Sequence, residues 1–427
     1  MKRVEWLFHI LAFALQCNAL VPLLSRSGGD VADLGAANPA NTIAIAFVLS
    51  IVLFLMLRHR REVKRYAPGM WPILALVLLA LVSVSWSDYP SVTIRRAGTL
   101  TTAALWAWYV TARYDLKDVI LIVKQSLGIL ALSSLAIGIA APGLGQGPDG
   151  WLGVFATKND LGFIMGVAAV TFVYTLVAQR SPLMTSVFST SALLLCLGLL
   201  YLSQSRTAWL AALLGSVICL AIRMTYKRVG VGIIVWTTIL LLLAPAAAIA
   251  TDQLGTIATM LGKDSTLTGR VDLWMILPSY IARRPWFGYG FGAFWVQDSV
   301  NVFQIWTTVG WEPPHAHNGW LDVLLDLGIA GLSLIALQVI LILVNGIRAV
   351  VEGSEPDAQY VLVTTFVVLT LNLAETSLVR PGASWVLLVI AATALSKIAK
   401  RRQTDAGSRF ARRFQRRSPL APSRLGR

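Results

Sequence analysis

Two histidines stand two residues apart at the end of the longest polar segment of this chain. His315 and His317 are two of only four histidines in the sequence, and an apolar segment begins at Asn318. Asn is a favoured helix N-cap, so the His317 imidazole is expected near the positive end of a helix. That position favours the neutral imidazole, which a general base requires. We interpret His317 as a candidate base and His315 as its catalytic or structural partner.

Two carboxylates follow the histidines on the same predicted helix. Asp322 and Asp326 come after Asn318 at successive four-residue steps, so the three side chains share one helix face. Such carboxylates can orient His317 or pair with nearby cations. We favour the pairing with cations.

Several cations stand at the ends of apolar segments, in turns that are far apart in the sequence. Arginine donates two parallel hydrogen bonds to phosphate oxygens, and lysine provides a point charge. A lipid-linked sugar pyrophosphate is a ligand with this requirement, and fixed cations would stabilise the charge that develops on its leaving group. The candidate phosphate-binding residues are Arg206, Arg270, Lys158, Arg95 and Arg96, with Arg284 and Glu375 as supporting residues beside Asn318.

Each cation also has a simpler interpretation. Arg95 and Arg96 can be interface anchors whose charged ends reach water, and Arg270 can be an ordinary loop cation. Arg206 precedes an apolar segment, where a cation opposes the helix dipole, so a functional reason is favoured there. The sequence has no Asp-x-Asp motif and no cluster of His and carboxylates at metal-site spacing. We therefore expect no metal and no cofactor.

The composition is that of an all-α integral membrane protein. Hydrophobic residues make up 56% of the 427 residues and charged residues only 13%. A spanning helix needs about 20 mainly apolar residues, and the alternating short segments of a barrel are absent. Apolar runs predict about twelve spans, at 5–24, 42–57, 71–86, 98–112, 122–140, 160–178, 183–202, 207–222, 230–250, 318–346, 359–376 and 383–397.

The distribution of charge predicts the orientation. Most Lys and Arg residues fall on one side if both termini are cytoplasmic, as the positive-inside rule requires. The net charge of +15 comes mainly from a basic tail at 398–427, which we interpret as a disordered lipid-facing segment rather than a nucleic-acid-binding one. A long loop at about 251–317 then lies outside, between spans 9 and 10. Its stretch 271–277 predicts a helix at the membrane interface.

At these residues the chain resembles the O-antigen ligase and polymerase family of bacterial envelope glycan assembly. The resemblance covers about residues 70–395, and we divide the chain into a membrane catalytic domain, 1–397, and the tail. Its elements are Ser205-Arg206-Thr207, Thr268-Gly269-Arg270 with Trp274, Arg284-Pro285 with Gly288-Tyr289-Gly290, His315-Ala316-His317-Asn318 with Leu321 and Leu327-Gly328, Phe155, Lys158-Asn159 and Glu375.

The resemblance implies a glycosyltransferase of the large polytopic class, GT-C-like in fold, at the outer face of the inner membrane. It implies undecaprenyl-pyrophosphate-linked glycan donors and no metal. Arg206 and Arg270 would hold the pyrophosphate, and His317 would act in catalysis. Exopolysaccharide-producing polymerases are the most similar group.

Three alternatives remain open at this point. The first is an O-antigen ligase that transfers glycan to lipid A core, and the second is a polysaccharide flippase or transporter. The third is a scaffold for polysaccharide assembly and export proteins. A transporter site is expected near the bilayer midplane, whereas the polar groups here collect at one face.

Overall fold

The structure, a computed structural model, describes residues 3–19, 39–178, 182–225, 268–353 and 357–417. Helices dominate this part of the chain, because backbone polar groups in a bilayer must be satisfied within the segment. The helices are α1 (Arg3–Gln16), α2 (Pro39–Arg58), α3 (Arg60–Tyr66), α4 (Trp71–Val82), α5 (Pro90–Arg113), α6 (Leu116–Ala140), α7 (Pro142–Gly145), α8 (Lys158–Ala178), α9 (Leu183–Leu202), α10 (Arg206–Thr225), α11 (Thr268–Arg283), α12 (Val300–Val309), α13 (Gly319–Val351), α14 (Ala358–Leu371) and α15 (Ala383–Arg417).

Two 3₁₀ turns, Ala67–Met70 and Ser83–Ser85, flank α4. One small hairpin pairs β1 (Gln146–Gly147) antiparallel with β2 (Gly150–Trp151). The predicted all-α class is therefore confirmed for the described ranges.

Eight helical segments of the described residues are long and apolar enough to cross a membrane. Ala358–Leu371 is a shorter apolar helix. The predicted span 230–250, residues 20–24 and the first part of the long loop lie outside the described residues, so the count of about twelve stays a prediction. The eight segments are Pro39–Arg58, Arg60–Ser85, Leu116–Ala140, Lys158–Ala178, Leu183–Leu202, Arg206–Arg223, Gly319–Val351 and Ala383–Thr404.

Helices α8 and α15 form the centre of the bundle, and most residues of their apolar windows, Lys158–Ala178 and Ala383–Thr404, are buried. The helix α8 packs against α9 and α10, and α15 packs against α5. The helix α14 contacts both α8 and α15. Small residues permit the closest approach: a Cβ on Gly162 of α8 would lie 2.5 Å from the Ser205 Cβ. The starts of α8 and α10 therefore lie at the same end of the bundle.

The helix α13 is interrupted where the turn after α11, at Pro285 and Trp286, packs against it. The interruption is at Gly328, which has φ 63° and ψ −161°. The Ile329 amide donates to the Pro285 carbonyl at 2.8 Å, and a Cβ on Gly328 would lie 2.4 Å from the carbonyl carbon of Trp286. Only glycine suits this backbone and this approach. The sequence elements Gly288–Gly290 and Leu327-Gly328 thus belong to one contact.

The described part of the long loop has a small core of its own. The predicted helix at 271–277 is confirmed, because it falls inside α11, and it buries Leu273 and Leu277; its place at the membrane interface stays a prediction. The remaining members of this core come from α11, α12, α13 and the segments between them; they are Tyr280, Tyr289, Phe294, Trp295, Val302, Ile305, Ala316 and Leu325. The core holds the histidine segment against the bundle.

The C-terminal segment differs from its prediction. We expected 398–427 to be disordered, but α15 continues without a break to Arg417. A formed helix extends easily through Ala, Arg, Lys and Gln, because nucleation has already occurred. The domain boundary predicted at 397 therefore falls inside a helix. Residues 418–427 lie outside the described chain.

Candidate functional site

The two histidines lie in the turn between α12 and α13, and a helix cap fixes the end of this turn. The Asn318 side chain accepts hydrogen bonds from the Trp320 and Leu321 amides at 3.0 and 3.2 Å. The predicted N-cap is confirmed. One residue earlier, His317 has φ 49°, in the left-handed region that non-glycine residues rarely adopt. Such backbone strain is concentrated at functional sites.

The imidazoles contact each other, and one organises the turn. Their ring centroids are 4.1 Å apart. The His317 amide donates to His315 Nδ1 at 3.1 Å, so a neutral His315 carries its proton on Nε2. Both ring nitrogens of His317 are buried and have no hydrogen-bond partner among the described residues. Within the described turn, Trp311 Nε1 is a further buried polar atom without a partner.

Both histidines are neutral at pH 7. Burial lowers the pKa of His315 to about 3, and the charges of Arg380 and Arg270 contribute. Burial also lowers the pKa of His317 to about 2, with smaller effects of His315 and Arg270, while Asp322 acts in the opposite direction. The neutral form is as expected, but burial rather than the helix end is its main cause.

Glu375 and Arg270 meet beside the histidines although they are far apart in the sequence. Arg270 Nη2 lies 3.5 Å from Glu375 Oε1, and Arg270 Nη1 donates to the Ala374 carbonyl at 2.8 Å. Asn159 Nδ2 donates to Glu375 Oε1 at 3.0 Å. Burial raises the pKa of Glu375 to about 7, and the Arg270 charge opposes that rise. This carboxyl therefore titrates close to neutral pH.

Glu375 and the two histidines, His315 and His317, form a possible metal-binding set. One nitrogen of each of His315 and His317 and one oxygen of Glu375 lie within 4.8 Å of one another. Two imidazoles and a carboxylate suit a divalent transition metal. Sequence spacing did not indicate this cluster, because Glu375 comes from a distant turn. Arg270, which is 3.5 Å from the same carboxylate, opposes a cation there. The absence of a metal stays a prediction.

A buried ion triad lies behind the histidine turn. Arg380 Nη2 lies 3.2 Å from Asp322 Oδ2 and 3.4 Å from Asp326 Oδ2. The predicted pairing of these carboxylates with a cation is confirmed. Asp322 Oδ1 also accepts the Ala316 amide at 3.1 Å and Trp295 Nε1 at 2.7 Å. Trp295 was missing from the sequence candidates, and Arg380, which follows Glu375 on the same predicted turn, had no assigned role.

The remaining candidate cations lie at the same end of the bundle as the histidines. They make their described contacts with residues other than Arg270, Glu375 and the two histidines. Arg96 donates to the Gly292 carbonyl, and Arg95 is half-buried on the same turn of α5. Arg284 pairs with Asp88 at 3.0 Å and lies over the Tyr289 ring.

Lys158 and Arg206 begin the neighbouring helices α8 and α10. Lys158 Nζ donates to the Asp149 carbonyl at 3.3 Å, and the Arg206 side chain is exposed. The structure thus unites Arg270, Glu375 and the two histidines and leaves the other candidates around them at the same end.

The sequence of the chain is similar to a known protein family and to a known protein. The O-antigen ligase family model matches residues 191–336, a range that contains Arg206, Arg270 and both histidines but ends before Glu375. The chain is also 26% identical over 321 residues to the exopolysaccharide production protein ExoQ of Rhizobium meliloti (strain 1021), covering 71% of this chain and 72% of that protein. These matches confirm the resemblance to the O-antigen ligase family and to an exopolysaccharide production protein, and the eight long apolar helices are those of a membrane protein.

Proposed function

We propose that this protein is a metal-independent glycosyltransferase that joins undecaprenyl-pyrophosphate-linked oligosaccharide repeat units into a polymer. The reaction would take place at the periplasmic face of the bacterial inner membrane. The observation that carries the proposal is the meeting of Arg270, Glu375 and the two histidines, which come from three separate segments. The name of the relative, an exopolysaccharide production protein, favours polymerisation.

In the proposed reaction a sugar hydroxyl of the acceptor attacks C1 of the donor sugar. The bond between C1 and the phosphate oxygen breaks, and undecaprenyl pyrophosphate leaves with the bonding electron pair. The hydroxyl proton passes to His317, whose ring nitrogens have no other described partner. Arg270 and Arg206 hold the diphosphate, with Arg95, Arg96 and Lys158 as further cations around it.

The donor itself would activate the base. Burial is the main cause that lowers the pKa of His317 to about 2, the Arg270 charge contributes, and such an imidazole is a weak base. A bound diphosphate places negative charge beside Arg270, which would offset the contribution of that arginine and raise the pKa of His317 in part. Base strength would therefore increase when the donor is in place.

The test is turnover of a purified lipid-linked oligosaccharide by the protein in lipid nanodiscs. The expected product of the wild type is a ladder of longer chains, with little product from H317A or R270A. The matched control is E352Q, which breaks an ion pair of Arg402 away from the histidines and should keep full turnover. Equal ladders from all variants would refute the site assignment.

Ligation to lipid A core is the second candidate, favoured by the description of the matching family as O-antigen ligase. Analysis of carrier-bound glycan in a deletion strain separates the two. Loss of long polymer with accumulation of single repeat units indicates a polymerase. Long chains that remain on the carrier indicate a ligase. A transporter would leave the purified protein unable to lengthen any chain.

A further inference from the structure

Asp322 connects four segments of the chain at one point. It lies in the first turn of α13, and Oδ1 accepts the Ala316 amide between the two histidines at 3.1 Å. The same oxygen accepts Trp295 Nε1 from the long loop at 2.7 Å. The other oxygen pairs with Arg380, from the turn before α15, at 3.2 Å. The carboxylate is therefore fully engaged on both sides.

Burial gives these contacts their importance. The Asp322 side chain is 3% exposed and its partner Arg380 22% exposed. Charges taken out of water destabilise a fold unless their geometry and hydrogen bonds are complete. An apolar pair would serve packing equally well, so a charged triad at this place needs a specific task. Within the described histidine turn, the Asp322 carboxylate accepts a hydrogen bond from one backbone amide, that of Ala316.

We propose that Asp322, held in place by Arg380, is the positioning residue of the histidine turn. Its bond to the Ala316 amide fixes the backbone on which His317 takes its left-handed conformation. Consequently a His317 nitrogen stays within 4.8 Å of Glu375. Asp326, which lies 3.4 Å from Arg380 on the next helical turn, anchors the arginine. The catalytic consequence rests on the proposed function, whereas the structural part does not.

A carboxylate that only stabilised α13 would act differently. Its loss would lower the melting temperature and raise backbone exchange throughout the helix, and each folded molecule would keep its turnover number. A positioning residue acts on the histidine turn specifically. Its loss lowers kcat and leaves KM for the donor in place, because the cations that bind the diphosphate are separate from it.

The first measurement is hydrogen–deuterium exchange of the peptide 311–321 in nanodiscs. In D322L we expect exchange at Ala316 to rise by about tenfold or more, because the acceptor is gone. In D322N the amide oxygen accepts the same bond, but the amide nitrogen turns a donor towards Arg380, so exchange should rise less than in D322L. E352Q, whose ion pair is with Arg402, should leave this peptide unchanged. Wild-type exchange in D322L would overturn the proposal.

The second measurement is turnover of the lipid-linked donor. We expect kcat of D322L to fall by about 100-fold at unchanged KM, and D322N, which keeps the acceptor for Ala316 but loses the pair with Arg380, to recover part of that loss. Equal kcat in D322L and the wild type would overturn the proposal. If D322L does not fold, D322N decides: raised exchange at Ala316 with a lower kcat at unchanged KM supports positioning, and any other result opposes it. A wild type without turnover would refute the proposed function alone, since the exchange result does not depend on activity.

Discussion

The two ends of the helix bundle both carry ion pairs, but they differ in how far the acids are buried. At the end with the histidines, Asp322 is 3% and Asp326 4% exposed in their pairs with Arg380. At the other end, Asp115 is 69% exposed in its pair with Arg401. Surface pairs contribute little to stability, whereas buried charges require complete partners. The comparison separates cations in water-exposed ion pairs from cations that pair with buried carboxylates at the candidate site.

Removing Arg380, the cation that pairs with the two buried carboxylates, should produce the largest loss of stability. The substitution R380M leaves two buried carboxylates without a counter-charge, and we expect a loss of about 3–5 kcal/mol in the free energy of unfolding. The measurement is the unfolding midpoint in detergent. R401M, at the exposed end, is the matched control. Similar losses in both variants would contradict the distinction between the two ends.

The next effect concerns catalysis at the buried end. R270A removes a cation that lies 3.5 Å from Glu375, and we expect kcat to fall by about 10²–10³. R270K keeps the charge without the paired donors and should give an intermediate value. Single-turnover kinetics on the lipid-linked donor measure both. A change in KM with constant kcat would assign Arg270 to uniform binding instead.

Glu375 should make the buried end sensitive to rising pH. Its pKa is raised from 4.5 to about 7, so the fold prefers the protonated carboxyl. Its contribution to stability is complete below pH 4.5 and is lost as pH rises through 7, a decrease of about 3 kcal/mol. Melting curves between pH 5 and pH 8 should therefore be flatter for E375Q than for the wild type. Parallel curves would exclude the carboxyl as the titrating group.

The histidines should make the same end sensitive to falling pH. The pKa of His317 is lowered from 6.5 to about 2, so its contribution to stability is present above pH 6.5 and is lost as pH falls below it. At pH 5 the expected loss is about 2 kcal/mol for this residue. H317Q should remove this part of the loss of stability at pH 5, which denaturant titrations at pH 7 and pH 5 measure. An unchanged acid response in H317Q would show that the imidazole is not buried as described.

The exposed end should give the smallest effect. D115N breaks pairs with Arg401 at 2.9 Å and with Lys397 at 3.9 Å, but the carboxylate is largely in water. We expect a change of about 0.2–1 kcal/mol, which decreases further in high salt. Denaturant titrations at two salt concentrations provide the measurement. A loss as large as that of R380M would remove the basis of the comparison.

Local features of the site could be predicted from the sequence. The Asn318 cap and the helix at 271–277 depend on neighbouring residues, and both were predicted. The continuation of α15 to Arg417 was missed, because composition was taken for disorder where a preceding helix could propagate.

The sequence alone determined where the apolar helices run and which polar side chains end them, since a bilayer requires each backbone to satisfy its own hydrogen bonds. Only the tertiary structure decided that Glu375 meets Arg270 and the histidines, and that Arg380 pairs with Asp322 and Asp326. Which helix ends become neighbours depends on packing between distant segments, and no local pattern contains that information.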